Sequence, residues 1–356
     1  MRVVTVIGAR PQFIKAAVVS RAMSESFREI NETIVHTGQH YDANMSDIFF
    51  DQLDIPRPQY NLGVGGGGHG QNTGRMLEKL EGLLVEERPD LVLVYGDTDS
   101  TLAGALTATK LHIPVAHIEA GLRSFNRRMP EEINRVLTDH VAELLFAPSL
   151  TARDNLIREG IKENTIHVVG DVMYDAALYY RERSRCPEKF ERLGVEVGEF
   201  LLCTIHRAEN TDNPVRMQGI LSGLAVADLP VILPMHPRTK AKLTTMGLII
   251  PGNVHVMEPV GYLEMVWLEM NSRLIATDSG GVQKEAYFHG KRCVTLRDET
   301  EWVELVDSGC NTLVGSDDTR IADAVNAPLQ VELKEGLYGD GDSANRILKV
   351  LTSKRS

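Results

Sequence analysis

The chain has 356 residues, 43% of them hydrophobic and 6% aromatic, which suits two α/β domains that each bury a core. Its formal charge of −11 excludes nucleic acid and anionic membrane as main partners, since both need a basic face; an anionic small molecule needs only a few local cations. Cys186, Cys203, Cys293 and Cys310 are widely spaced with no CxxC, so free thiols in a reducing cytosol are expected, with neither disulfides nor a metal.

Arg2–Ile7 (RVVTVI) is continuous and β-branched, the pattern of a central parallel strand. Arg10 and Pro11 interrupt it too early for a signal peptide, and no run reaches the ~18 residues of a membrane span, so a cytoplasmic protein is expected. Pro11 suits the first turn of a helix through Gln12–Ala22. Glu32–His36 reads as the next strand, with helices around Met45–Leu53 and Gln71–Glu87 and a glycine-rich loop, Gly63–Gly70, between them. Strands follow at Leu91–Tyr95 and Val115–Ile118, then a helix at Glu131–Ala142, a strand at Leu144–Ala147, a helix at Thr151–Glu159 and a strand at Ile166–Val169. The segment GDVMYDAALYYRERSR reads as a helix leaving the first domain, and the polar stretch Arg183–Gly198 as a hinge.

The pattern then restarts. Strands are expected at Phe200–Thr204, Val231–Pro234, Val254–Met257, Arg273–Thr277, Arg292–Leu296 and Thr312–Val314. Helices are expected near Val215–Ala225, Arg238–Met246, Tyr262–Met270, Gly281–His289 and Arg320–Val325, with a closing helix at Ser343–Leu351. Repeated β-α order implies two doubly wound, Rossmann-like domains with a central cleft. The first is expected over residues 1–170 with the C-terminal helix 342–356, the second over 171–341.

Three carboxylates stand out. Asp97 and Glu119 each follow a buried strand, at the sheet edge where ligands of open parallel sheets bind, and Glu131 opens a helix. Asp97 could equally be a helix cap and Glu131 a favourable first-turn acid, but neither explanation covers Glu119. GARPQFIK (Gly8–Lys15) is neither a Walker A loop nor G-x-G-x-x-G; it is either an anion cradle, with Arg10 and Lys15 as cations, or an ordinary βα turn. TDSGGVQKEA (Thr277–Ala286) offers bare N–H groups at Ser279-Gly280-Gly281, with Glu285 one helical turn on. His206, in LLCTIHRAEN, ends a strand of the second domain, and His236 repeats that arrangement one strand later.

Together GARPQFIK, HTGQH, YGDTDSTLAG, HIEAGLR, MPEEINR, HRAEN, TDSGGVQKEA and YGDGDSANRI resemble the non-hydrolysing UDP-N-acetylglucosamine 2-epimerase family, in the family's order and over nearly the whole chain. The resemblance implies a glycosyltransferase type-B-like architecture, a homodimer, a UDP-sugar substrate and no added redox cofactor or metal. The proton on sugar carbon 2 has no neighbouring carbonyl to acidify it, so the implied route is elimination of UDP to a glycal followed by re-addition. By motif match, Asp97, Glu119 and Glu131 would be the acid/base set. Arg10, Lys15, His206 and Ser279-Gly280-Gly281 would hold the diphosphate, with His206 also in the catalytic group, and Glu285 would hold the ribose.

Several positions depart from the commoner family pattern. Gln12-Phe13 stand where Glu-Ala is usual, Ala208 replaces an Arg, Trp302-Val303 replace Arg-Pro, and HYDANM differs from the segment linked to allosteric UDP-N-acetylglucosamine binding. The segment before MPEE is short and carries Arg127 and Arg128. These variants look like the branch acting on UDP-2,3-diacetamido-2,3-dideoxy-glucuronate, a surface-polysaccharide precursor, with Arg127 or Arg128 as the contact for its carboxylate. Competing readings are a UDP-N-acetylglucosamine 2-epimerase, a type-B UDP-sugar glycosyltransferase, a hydrolysing epimerase and a silent nucleotide-sugar sensor.

Overall fold

The structure is a computed structural model that describes residues 1–39, 50, 54, 57–328 and 335–353. The expected helix at Met45–Leu53 and the HYDANM segment lie outside the described residues, apart from Phe50 within the former. The chain divides into two compact units, Met1–Ala176 with Gly336–Ser356, and Ala177–Glu335. No helix among the described residues is long and apolar enough to cross a membrane.

The first unit runs β1 (Arg2–Ile7), α1 (Arg10–Ser26), β2 (Asn31–His36), β3 (Tyr60–Asn61), α2 (His69–Glu87), β4 (Leu91–Tyr95), α3 (Asp99–Lys110), β5 (Val115–Ile118), α4 (Pro130–Val141), β6 (Leu144–Ala147), α5 (Leu150–Arg158), β7 (Ile166–Val168) and α6 (Val172–Arg181), which carries the chain into the second unit. All strands are parallel, in the order β3-β2-β1-β4-β5-β6-β7. Every residue of β4, β5 and β6 is buried, because helices cover both faces of a parallel sheet. Val4, Val6, Val92, Val94, Met76, Leu80, Leu84 and Ala105 pack as one apolar cluster on one side of the sheet.

The second unit runs β8 (Leu201–Thr204), α7 (Ala208–Thr211), α8 (Pro214–Ala225), β9 (Val231–Pro234), α9 (Pro237–Thr245), β10 (Val254–Met257), α10 (Tyr262–Asn271), β11 (Leu274–Thr277), α11 (Gly280–Phe288), β12 (Cys293–Thr295), α12 (Val303–Asp307), β13 (Asn311–Leu313) and α13 (Asp318–Asn326). Its parallel sheet has the order β10-β9-β8-β11-β12-β13. The last helix, α14 (Ser343–Ser353), returns to the first unit and packs on α1. Asp171 N–H donates to the Tyr338 carbonyl at 3.0 Å and Ala344 N–H to Asp175 at 2.8 Å, which fastens the returning segment.

The fold class matches the sequence reading, two parallel-sheet α/β domains. Helices α1, α2, α4, α8 and α9 each begin one or two residues earlier than expected, three of them because a proline supplies the first helical position. The sequence reading passed over β3, α7 and α12, which are too short to show a period. The four cysteines are free thiols, three of them buried.

Candidate active site

In both sheets the strand order reverses at one point, between β1 and β4 and between β8 and β11. Ligands of doubly wound sheets bind beyond the carboxyl ends of the strands at such points. In the first unit this location is built from the turns after β1, β4 and β5.

Gln12 knits two of those turns together. Its Oε1 accepts from Gly8 N–H (2.8 Å) and Ala9 N–H (3.0 Å), while its Nε2 donates to the Tyr95 carbonyl (2.8 Å) and Thr101 Oγ1 (2.9 Å). A glutamate, with at most one O–H, could not donate both of the last two bonds, so the departure to Gln12 is matched to its surroundings. Phe13, the second departure, stacks on His36 with ring centroids 5.2 Å apart.

One turn further into α1, the Lys15 ammonium lies directly on the Glu119 carboxylate, with the two side chains only 8% and 7% exposed. The ammonium supplies the opposite charge that a buried carboxylate requires. Glu119 follows β5 with φ +72, in the left-handed region that non-glycine residues rarely enter. Such strain persists where surrounding structure fixes it, and it collects at functional sites. Gly96, after β4, closes over the pair. A Cβ there would lie 3.1 Å from Glu119 Oε2 and 3.2 Å from Lys15 Nζ.

Asp97 follows Gly96 and pairs with Arg135 of α4. The sequence reading allowed Asp97 to be a helix cap, but the cap of α3 is Thr98, whose side chain accepts from Thr101 N–H. Arg135 also binds Glu132 at 2.9 Å, and Glu132 accepts from Ser124 N–H, Ser124 Oγ and Phe125 N–H. The loop before α4 is therefore held from its acidic first turn. Glu131, the neighbouring acid, is exposed in that same turn, and Arg127 and Arg128 are exposed on the loop. Arg10 is the first residue of α1, and its side chain lies outside what the structure describes. Asn134 Nδ2 ties the Asp97 carbonyl (3.0 Å) to Asp99 (3.1 Å), beside a cavity of about 370 Å³ lined by His69, Asp99 and Pro130.

Sequence reasoning missed the layer beneath these acids. Fully buried His117, in β5, bonds Asp139 through Nδ1 and the Gly96 carbonyl through Nε2, both at 2.7 Å. Asp139 also accepts from Arg123 (2.7 Å) and Gly121 N–H (3.1 Å), and Arg123 forks onto both oxygens of Glu159. Burial pushes the Asp139 carboxyl up, but the bonds and charges of His117 and Arg123 hold it below the usual carboxylate range. The HIEAGLR motif contains His117 and Arg123, yet nothing local marks Asp139 as their partner.

In the second unit, Asp278 plays a comparable part at the end of β11. Fully buried, it accepts from His206 N–H (3.0 Å), Arg207 N–H (3.0 Å), Asn210 Nδ2 (3.1 Å) and the His206 ring Nδ1 (3.0 Å). Burial raises its carboxyl, and these donors, His206 first, bring it below the usual range. The His206 ring is thereby oriented while its side chain stays 59% exposed. Ser279 caps α11 by accepting from Val282 N–H (3.4 Å), and its own N–H, expected to be bare, instead donates to Thr277 Oγ1 (2.9 Å). A Cβ on Gly280 would lie 2.4 Å from Glu301 Oε1, so the helix start approaches that acid as only glycine can; exposed Gly281 follows, its N–H in the first turn.

Glu285 is buried and accepts from Tyr262 OH at 3.2 Å. Burial and Glu285 itself push the Tyr262 phenol well up, so it stays a donor. Trp302, another departure, lies 4.1 Å from the Lys284 ammonium, face to cation. His236, by contrast, caps α9 by accepting from Arg238 N–H at 3.2 Å.

A sequence profile described as UDP-N-acetylglucosamine 2-epimerase matches residues 22–352. The chain is 54% identical to a UDP-2,3-diacetamido-2,3-dideoxy-D-glucuronate 2-epimerase of Pseudomonas aeruginosa, covering 99% of each. It is 46% identical to a UDP-N-acetylglucosamine 2-epimerase of Methanocaldococcus jannaschii, again over 99% of each chain. A crystal structure of the M. jannaschii enzyme with UDP-GlcNAc and UDP superposes with a TM-score of 0.89, covering 99% of this chain and 100% of that one.

Proposed function

The chain belongs to the UDP-N-acetylglucosamine 2-epimerase family of isomerases, and we propose that it inverts carbon 2 of UDP-2,3-diacetamido-2,3-dideoxy-glucuronate, gluco to manno. The observation that carries this choice of sugar is the 54% identity, end to end, with the P. aeruginosa enzyme of that name. The reaction would serve surface-polysaccharide synthesis.

A carboxylate removes the proton from carbon 2 as the bond from carbon 1 to UDP oxygen breaks, giving a 2-acetamido glycal and UDP. UDP oxygen then re-forms the bond to carbon 1 while a carboxyl returns a proton to the opposite face of carbon 2. Atoms and charge balance with nothing added. Asp97, Glu119 and Glu131 form the acid/base set. Glu119 is best equipped among them, because Lys15 beside it supports a buried anion and Gly96 confines it. Lys15 and Arg10 also serve the diphosphate. In the second unit, His206 held by Asp278, with Ser279 and the Gly280 and Gly281 N–H groups at the start of α11, meets the diphosphate, and Glu285 meets the ribose. No added redox cofactor or metal enters this scheme, and the active form is a homodimer, which sedimentation would test.

An acidic sugar needs one more cation, and exposed Arg127 and Arg128 are assigned that contact. The experiment compares initial rates on the diacetamido-glucuronate and on UDP-N-acetylglucosamine. Preference for the acidic sugar is expected, and Arg127→Ala or Arg128→Ala should cost it roughly 10–100-fold more than the neutral one, the value of a charge-assisted bond. Preference for UDP-N-acetylglucosamine, with equal losses on both, would instead establish the neutral sugar as substrate.

A further inference from the structure

We infer that His117 positions the two strand-end acids, Asp97 and Glu119, by donating from both ring nitrogens at once; the inference rests on the elimination reading above. The Gly96 carbonyl can only accept, so the 2.7 Å contact places a proton on Nε2. At the other nitrogen the partner is Asp139, again at 2.7 Å. Two further donors, Arg123 Nη1 and Gly121 N–H, already converge on the second oxygen of Asp139. These two donors, one of them a guanidinium, favour the ionised carboxylate, so the shared proton belongs to the ring.

The ring therefore spans two turns. Its Nε2 fixes the peptide immediately before Asp97, whose own Gly96 N–H is bonded to the Ile118 carbonyl at 3.0 Å. Through Asp139 it fixes Gly121 N–H, two residues beyond Glu119. One buried side chain thus sets the backbone on both sides of the pair, and supplies the framework that holds Glu119 at φ +72. The charged groups around it alternate in sign: Asp139 from α4, Arg123 from the loop after β5, Glu159 after α5, and Lys15 with Glu119 above the Gly96 turn. His117 touches no substrate in this scheme; it acts through the two turns.

Selective ¹⁵N-histidine labelling of the whole protein tests the ring directly, with His117→Gln to assign the signals. Both His117 nitrogens should show an attached proton in the folded protein, one toward the Gly96 carbonyl and one toward Asp139; an unprotonated nitrogen would overturn the inference. Kinetics give the second arm. A Gln amide nitrogen can reach the place of Nε2 and keep the Gly96 contact, whereas an Asn amide reaches only the place of Nδ1. Each variant keeps one of the two contacts and loses the other, so we expect both His117→Gln and His117→Asn to lose roughly 10–100-fold in kcat, the cost of misplacing an acid by about 1 Å, with KM changed less than about threefold in both. An unchanged kcat in either variant, or losses confined to KM, would contradict it. The labelling needs no turnover, so an inactive enzyme would sink the epimerase reading without touching the ring assignment.

Discussion

Glu119 combines a left-handed backbone, near-complete burial and an ammonium partner, three conditions that a solvated surface acid does not meet. Replacing it with Gln keeps the shape and removes the charge, so Glu119→Gln should lose roughly 10²–10⁴-fold in turnover, read by rate assays, with its circular dichroism unchanged. Gly96→Ala acts on the same pair from outside. Its Cβ would press on Glu119 Oε2 and Lys15 Nζ, and φ +63 strains any side chain there. A loss of about 2–4 kcal/mol in chemical denaturation is expected, with activity lost in the fraction that remains folded. Gly280→Ala would force the start of α11 off Glu301 and should raise KM for the UDP-sugar roughly 10-fold, because the displaced N–H groups are those assigned to the diphosphate.

Between elements, the informative contacts are buried polar ties. Gln12→Ala removes four hydrogen bonds, taking from the Gly8 and Ala9 N–H groups their Gln12 acceptor, and loosens α1 from β4, although the Tyr95 carbonyl and Thr101 hydroxyl still bond each other; a fall of roughly 1–3 kcal/mol in unfolding free energy is expected, measured by urea titration. Helices α10 and α11 carry a second buried set. Glu269 of α10 is fully buried, and burial followed by the charge of Glu285 pushes its carboxyl well above the usual 4.5. The native state then holds a proton that the unfolded chain has released, so this group lowers stability as pH rises above about 4.5. Glu269→Gln should stabilise the protein at pH 7 and lose that advantage near pH 4. His289, at the end of α11, behaves oppositely. Burial, then Arg181 and Lys291, pull it from 6.5 to about 4, so native stability falls as pH drops through that window. A His289→Gln variant should show a shallower acid limb in Tm against pH. How much of this could be read from the chain follows from range. Strands β4 and β5 are legible because burial on both faces makes them continuous apolar runs, and Asp97 and Glu119 because they stop those runs. Gln12 and Tyr95, 83 residues apart, or His117 and Asp139, 22 apart, leave no periodic trace. Asp97 looked like a cap because the true cap, Thr98, stands beside it.

At the scale of the whole molecule, two sheets repeat one strand order and place the turns assigned to the substrate at the same topological point. The first unit carries strand-end acids, with Lys15 pressed against Glu119 and Arg135 on Asp97, and the second carries an oriented histidine and a glycine helix start. A chain of net charge −11 needs no general attraction for anions when its cations are this local. The central claim is that the carbon 2 proton leaves and returns while UDP departs and re-adds. Incubation with the UDP-sugar in deuterated water, followed by NMR of carbon 2, tests it most directly. We predict one deuterium at carbon 2, inversion of configuration and UDP attached at equilibrium, with deuterium uptake and inversion slowed roughly 10²–10⁴-fold in Glu119→Gln. Inversion without deuterium uptake, or stoichiometric accumulation of free UDP and sugar, would contradict it.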